Sequence, residues 1–187
     1  DGGNLYYEAA VAGGIPINKS LREGLSGNRI QRLYGILNGT CNYILTQMEA
    51  EGRDFEDILI DAQRMGYAEA EPSLDVDGFD AQYKAGILAS LAHGFWIKPS
   101  QIFVEGIRHI TTLDIEFARR MGYCIKLLGI VKKLGDNVQI AVHPALVPEK
   151  HVLANVSGVY NAILVRGDIV GDTLHYGQGA GADATAS

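Results

Sequence analysis

The texture of the chain changes once, near Ile102, and that change limits the possible folds more than any other feature. Before it, three segments carry apolar residues at helical spacing: 40–51 with Tyr43, Ile44 and Met48; 55–65 with Phe55, Ile58, Leu59 and Ala62; and 80–93, the most apolar, which points to burial on most of its faces. Gly52 and Gly66 stand where the first two should stop, and Asp54 stands where the second should be capped. A short helix is expected over 5–12, ending at Gly13-Gly14, with Pro16 stiffening an extended stretch and another helical turn over 20–25. Only 30–37 reads as a strand in this half, and 67–78 reads as a polar loop. After Ile102 the runs 103–110, 124–133, 138–146, 162–170 and 172–176 read as strands, with a helix over 114–121 and a hairpin turn at Gly135-Asp136-Asn137. Helices first and strands later, with short connections, predict an α+β fold: a mostly antiparallel or mixed sheet covered by helices on one face. Ala162-Ile163-Leu164-Val165 points apolar side chains both ways, so the second face also needs a cover, and a homodimer formed through the sheet would supply it.

At 187 residues, 47% hydrophobic and 20% charged, the chain can bury one core without staples and reads as a single domain, 1–187. Apolar stretches such as 87–92 break at His93 and Gly94, far short of the roughly 20 residues of a membrane span. The net charge is −6 and the one basic cluster, Lys132-Lys133, is too small to follow a phosphate backbone, which argues against nucleic acid as a partner. Cys41 and Cys124 lack the paired spacing of a zinc or dithiol site, and the first residues do not resemble a secretory signal; reduced thiols in a cytoplasmic protein are expected. Both ends read as cuts inside a longer protein.

The densest polar cluster is Gly66-Tyr67-Ala68-Glu69-Ala70-Glu71-Pro72-Ser73-Leu74-Asp75-Val76-Asp77-Gly78-Phe79-Asp80, with Lys84 one helical turn further on. Asp80 and Lys84, at i and i+4, share a face of an otherwise apolar helix, so the lysine should be partly buried and suited to proton transfer or to orienting a polar substrate. An acidic loop followed by an ordinary surface ion pair would produce the same pattern. Asn38-Gly39-Thr40-Cys41-Asn42 opens a helix whose free N–H groups can hold a carboxylate, or it is simply a capping turn. Cys41 there invites a nucleophile reading, as in aldehyde oxidation through a thioester, although no histidine lies near it in sequence. Gly177-Gln178-Gly179-Ala180-Gly181 follows a strand like a phosphate-cradling loop but lacks the full fingerprint. Glu8 with the turn at Gly13-Gly14 offers a carboxylate and carbonyls to a hard cation, or forms a plain helix end. The five histidines show no metal-ligand spacing.

Together these segments resemble the homoserine dehydrogenase family: 8–17, 35–44, the block 66–72 with Asp75, Asp77-Gly78, Asp80 and Lys84, and 177–187, in that order along the chain. The resemblance implies an oxidoreductase that interconverts L-homoserine and L-aspartate 4-semialdehyde with NAD(P), on the route to threonine, methionine and isoleucine. It implies that Gly39, Thr40, Tyr67, Glu69, Asp75 and Lys84 line the amino-acid site and that Asp80 and Lys84 take part in the reaction. Gly177, Gly179, Ala180 and Gly181 would lie near the nicotinamide, and Glu8, Val11, Gly13 and Ile15 would hold a monovalent cation, Na⁺ or K⁺, the last three through carbonyls. Ala184 stands where many relatives have proline. A Rossmann domain carrying the dinucleotide fingerprint and a second active-site lysine is expected before Asp1, so the chain alone should be inactive. The competing class is a non-catalytic dimerisation or amino-acid-sensing module on the same scaffold, which would not need Glu69, Asp75, Asp80 and Lys84 together.

Overall fold

A computed structural model of the chain describes residues 7–179. A 3₁₀ turn, Glu8–Ala10, leads to the three-residue helix α1, Ile17–Lys19, which runs on into a π-helical turn, Ser20–Gly24. There follow β1 (Ile30–Ile36), α2 (Gly39–Glu51), α3 (Phe55–Arg64), α4 (Ser73–Val76), α5 (Phe79–His93), β2 (Phe103–Val104), α6 (Thr112–Arg120), β3 (Tyr123–Leu134), β4 (Asn137–Pro148), β5 (Tyr160–Gly167) and β6 (Gly171–Gln178). The six strands form one sheet in the order β2-β4-β3-β1-β5-β6, antiparallel except for β2 beside β4. Helices α2, α5 and α6 pack on one face of it. The expected α+β class, with helices on one face, is therefore what the chain adopts.

Local chemistry accounts for the boundaries. Asn38 caps α2, its Oδ1 accepting from Cys41 N at 2.8 Å, and Gly52 ends the helix in the left-handed region that its φ of +65° requires. In α3, Phe55, Ile58, Leu59 and Ala62 are buried at the spacing read from the sequence. Asp54 makes no cap; its Oδ1 accepts instead from Thr112 Oγ1 at 3.2 Å, which links α3 to α6. Helix α5 buries Ala81, Gln82, Ala85, Leu88 and Ala89 while Tyr83 is exposed, so it is covered on one broad face rather than on most.

Alternation along the strands divides the apolar residues between two clusters. Leu33, Ile125, Leu127, Val131, Ile163 and Val165 pack with the helices. Ile36, Leu128, Ile130, Ala162 and Leu164 point to the other face. That face is not wholly open, because Leu153 and Val156, on the connection between β4 and β5, fold back over it.

Four element readings need correction. The strand expected over 103–110 lasts two residues: Glu105 N still reaches Val142 O at 2.8 Å, but Ile107 N donates to Val76 O at 2.8 Å, so the backbone leaves the sheet to run beneath α4. The polar stretch 67–78 contains α4. Of the helix expected over 5–12, the described part is only Glu8–Ala10, because Ala12 and Gly13 both have positive φ and turn the chain. The run 162–170 ends as a strand at Gly167; residues 168–170 are the turn into β6.

Gly106 marks the closest approach in this arrangement: a Cβ there would stand 2.1 Å from Val76 O and 2.4 Å from Asp77 Cα. Gly106→Ala should therefore cost about 3 kcal/mol, the upper end of ordinary overpacking, and urea unfolding should show it as a lower midpoint with an unchanged slope. An unchanged midpoint would mean that the contact between β2's exit and α4 is not what holds this segment.

Candidate active site

Three segments far apart in sequence converge where β1 leaves the sheet. The strand delivers Leu37 and Asn38 to the N-terminus of α2; the chain after α3 returns through Tyr67 and Glu69 to α4; and α5 begins at Gly78, whose φ of +86° turns the chain into the helix. The side-chain amide of Asn38 joins them. Its Nδ2 donates to Asp75 Oδ1 at 2.7 Å and to Asp80 Oδ2 at 2.9 Å, while its Oδ1 is fixed by the Cys41 cap. Lys84 Nζ donates to the same Asp80 oxygen at 2.7 Å and to Leu37 O at 3.1 Å. The Lys84 and Asp80 side chains are 21% and 23% exposed, so this is not the solvated surface pair that the spacing alone also allowed.

These groups border a cavity of about 470 Å³, with Gly39, Thr40, Tyr67, Glu69, Asp75, Asp80 and Lys84 all on its wall. Every residue expected at the amino-acid site thus lines one space. Thr40 Oγ1 donates to Tyr67 O at 2.7 Å, and the Tyr67 ring leans on Tyr43 with centroids 4.9 Å apart. Arg108 stabilises the acidic stretch from behind, donating to both carboxylate oxygens of Asp77 and to Ser73 Oγ, so Asp77 faces away from the cavity chemistry.

Cys41 is buried, and burial, reinforced by the neighbouring carboxylates of Asp75 and Asp80, pushes its thiol well above the ordinary range. Its Sγ donates to Asp75 O at 3.2 Å. A protonated, inward-facing thiol is no nucleophile, which removes that reading.

Gly179 forms part of the cavity wall. It is pressed against Asn161, whose atoms would lie 2.2–2.4 Å from an added Cβ, and Gly13 lies against the Gly179 backbone with no room for a side chain either. Gly177 rests on Ile15. Ala180, Gly181 and Ala184 lie outside the described residues.

The carboxylate of Glu8 is taken up locally. Oε1 accepts from Asn18 N at 2.7 Å and Oε2 from Lys19 N at 2.9 Å, because the first N–H groups of a helix have no partner within it. Val11, Gly13 and Ile15 form the turn beside it, with Val11 and Ile15 buried. No cluster of three or more His, Cys, Asp or Glu side chains suited to a metal occurs among the described residues, so a cation here would depend on carbonyls. One buried acceptor fits such a site: Asn18 donates its amide to Tyr7 O and Glu8 O and leaves its Oδ1 without a partner among the described residues.

Two participants were not singled out from the sequence. In the sequence Asn38 stands out only as part of a turn, and its one signal is an N-cap position at the start of α2. Asn161, which donates to Leu37 O at 3.2 Å and so shares that carbonyl with Lys84, gave no local signal, since it lies 124 residues away from its partner.

Comparisons with known proteins identify the family and the fold. The homoserine dehydrogenase family profile matches residues 16–187. A curated homoserine dehydrogenase of Neisseria gonorrhoeae is 52% identical over 183 residues, covering 98% of this chain and 42% of the relative; one from Pseudomonas aeruginosa is 51% identical over 97% of this chain. The chain thus spans less than half the length of the curated relatives it matches. Among solved structures, the homoserine dehydrogenase of Thiobacillus denitrificans superposes with a TM-score of 0.95 at 52% identity, over 96% of this chain and 42% of that one. A hyperthermophilic archaeal homoserine dehydrogenase in complex with NADPH superposes with a TM-score of 0.82 at 32% identity, over 97% of this chain and 52% of that one. Sequence agreement along nearly the whole chain, carried on a shared fold, means that the chain belongs to the homoserine dehydrogenase family.

Proposed function

We propose that this chain is the substrate-binding and dimerisation part of an enzyme that interconverts L-homoserine and L-aspartate 4-semialdehyde with NAD(P), in threonine and methionine biosynthesis in the cytoplasm. The observation that carries this reading is the Asn38-linked set of Asp75, Asp80 and Lys84 on the wall of one cavity with Glu69 and the start of α2. A zwitterionic amino acid fits such a wall: Glu69 and Asp75 offer carboxylates to its ammonium, and the free N–H groups of Gly39 and Thr40 face its carboxylate. Lys84, once its ammonium has released a proton to solvent, is the amine that takes the hydroxyl proton, and in the reverse direction its ammonium returns that proton to the carbonyl oxygen; Asp80 fixes the direction of its Nζ. The dinucleotide, when bound, supplies the hydride acceptor at C4 of the substrate. Gly179 fits that role because it stands on the cavity wall, its bare backbone packed on Asn161, with Gly177 two residues before it on Ile15; Ala180 and Gly181 are assigned to the same role by the family resemblance alone. A dinucleotide-binding Rossmann domain preceding residue 1 would complete the site. A sensing module would need no ion pair aimed at the cavity, so the catalytic reading is preferred.

A Na⁺ or K⁺ ion near Glu8, Val11, Gly13 and Ile15 belongs to the same proposal, supported by Asn18 Oδ1, which has no partner among the described residues. So does a homodimer through the sheet. The face opposite the helices holds a groove of about 360 Å³ lined by Tyr34, Leu128, Ile130, Ala145 and Val147, and Leu174 and Tyr176 on β6 remain exposed. No described helix is long and apolar enough to cross a membrane.

Lys84→Ala in the intact enzyme should lower kcat by about a hundredfold or more, with little change in dinucleotide binding, and Lys84→Arg should not restore it, because guanidinium keeps its proton. Steady-state kinetics decide: a near-normal kcat with a raised KM would make Lys84 a substrate anchor only. Sedimentation velocity at micromolar concentration should give a dimer, whereas a monomer that exposes no apolar surface to a dye would remove the proposed sheet interface.

A further inference from the structure

Lys126 has no part in the chemistry above, yet it is among the most deeply buried charged groups of the chain. It lies in β3 between Cys124 and Leu128, which point to the same apolar face, and the whole residue is 2% exposed. No ion pair among the described residues includes it. Burial pushes its ammonium below the ordinary lysine range. For packing alone an apolar side chain would serve better, because a buried ammonium without a counter-ion is costly to desolvate. What the ammonium holds must offset that cost.

Its location follows from the sheet. Strand β1 pairs with β3 only from Gly35 opposite Gly129 onward, so the 123–128 half of β3 has β4 on one side and no strand on the other. Helix α2 and the segment 156–160 occupy that place. Lys126 Nζ donates to Val156 O at 2.7 Å and reaches Asn42 Oδ1 at 3.4 Å. Asn42 Nδ2 in turn donates to Val156 O, Gly158 O and Tyr160 O at 3.1, 2.9 and 3.4 Å. Gly158 N closes the set on Thr46 Oγ1 at 3.3 Å. Three successive alternate carbonyls are thus tied to the first two turns of α2. Between them lies Val159, which lines the substrate cavity and whose carbonyl is so near Gly39 that a Cβ there would be 2.8 Å away.

We propose that Lys126 and Asn42 are positioning residues for the amino-acid pocket: they clamp the 156–160 segment against α2 and so set the wall that Val159 contributes. Neither touches the cavity. Val159 and Gly39 transmit their effect; the dinucleotide edge at Gly177 and Gly179 meets the clamp only through the pairing of Gln178 with Tyr160 and is braced besides by Ile15, Gly13 and Asn161. The clamp should therefore bear on the amino-acid substrate far more than on the dinucleotide.

The inference rests on the functional reading given above, and its test separates the two. In the intact enzyme, Lys126→Met keeps the aliphatic stem and removes the charged donor; the KM for homoserine should rise by about ten- to a hundredfold, the KM for dinucleotide should stay within about twofold, and kcat should fall by less than tenfold. Thr46→Val, a milder change, should raise the homoserine KM by about fivefold for its one lost hydrogen bond. Hydrogen exchange supplies a readout that needs no turnover: amides in 156–160 should exchange faster in Lys126→Met while those of β4 do not. A folded Lys126→Met enzyme with an unchanged homoserine KM overturns the proposal, as does a rise in both KM values together with general loss of protection, which would make the lysine merely structural. If Lys126→Met does not fold, Thr46→Val decides by the same two measurements. Failure of the unaltered enzyme to oxidise homoserine would overturn the functional reading instead, and the exchange pattern would then decide the clamp alone.

Discussion

Two carboxylates sharing one amide nitrogen is the constraint from which this site is built. Asp75 Oδ1 and Asp80 Oδ2 are each within hydrogen-bond length of Asn38 Nδ2, and charges at about 5 Å repel by about 3 kcal/mol at an effective dielectric near 20. One donor set between them and one ammonium, Lys84, on the second oppose that repulsion. The site keeps an excess of negative charge, which suits a substrate that brings its own ammonium. Asn38 can play this part only because its Oδ1 is tied to the cap of α2, so the amide cannot rotate away.

The fold serves this constraint from several directions. Strand β1, which leads directly into α2, sits at the centre of the sheet and delivers Asn38 at its end. Leu37 O, the last carbonyl before it, accepts from both Lys84 and Asn161, so α5 and β5 are registered on the same atom. Arg108 holds Asp77 and Ser73 on the outer side of α4, and the passage of Gly106 beneath Val76 leaves that short helix no freedom to sink.

Much of this was readable in the sequence, because it is local. The period of 55–65, the stop at Gly52, the i,i+4 placement of Asp80 and Lys84 and the two-way apolar pattern of 162–165 each depend on neighbours within a few residues, and each appears as read. What escaped depends on distant partners. Asp54 stands at a cap position but is drawn to Thr112, the run after Phe103 is diverted by Val76, and the Glu8 carboxylate also caps the start of α1, ten residues further on. Lys126 read as one more residue of a strand, since nothing adjacent to it reveals that a strand is missing on one side of it.

The account is tested most directly at Asn38, by the kcat/KM of Asn38→Leu in the intact enzyme together with its thermal unfolding. The variant should stay folded but lose stability by about 1–3 kcal/mol, the cost of leaving buried polar partners unmet. Its kcat/KM should fall by about a hundredfold or more, as Asp75 and Asp80 separate and Lys84 loses its aim. A folded Asn38→Leu enzyme with nearly normal kcat/KM would show that the carboxylates and Lys84 hold their places without the amide, and would contradict the account at its centre.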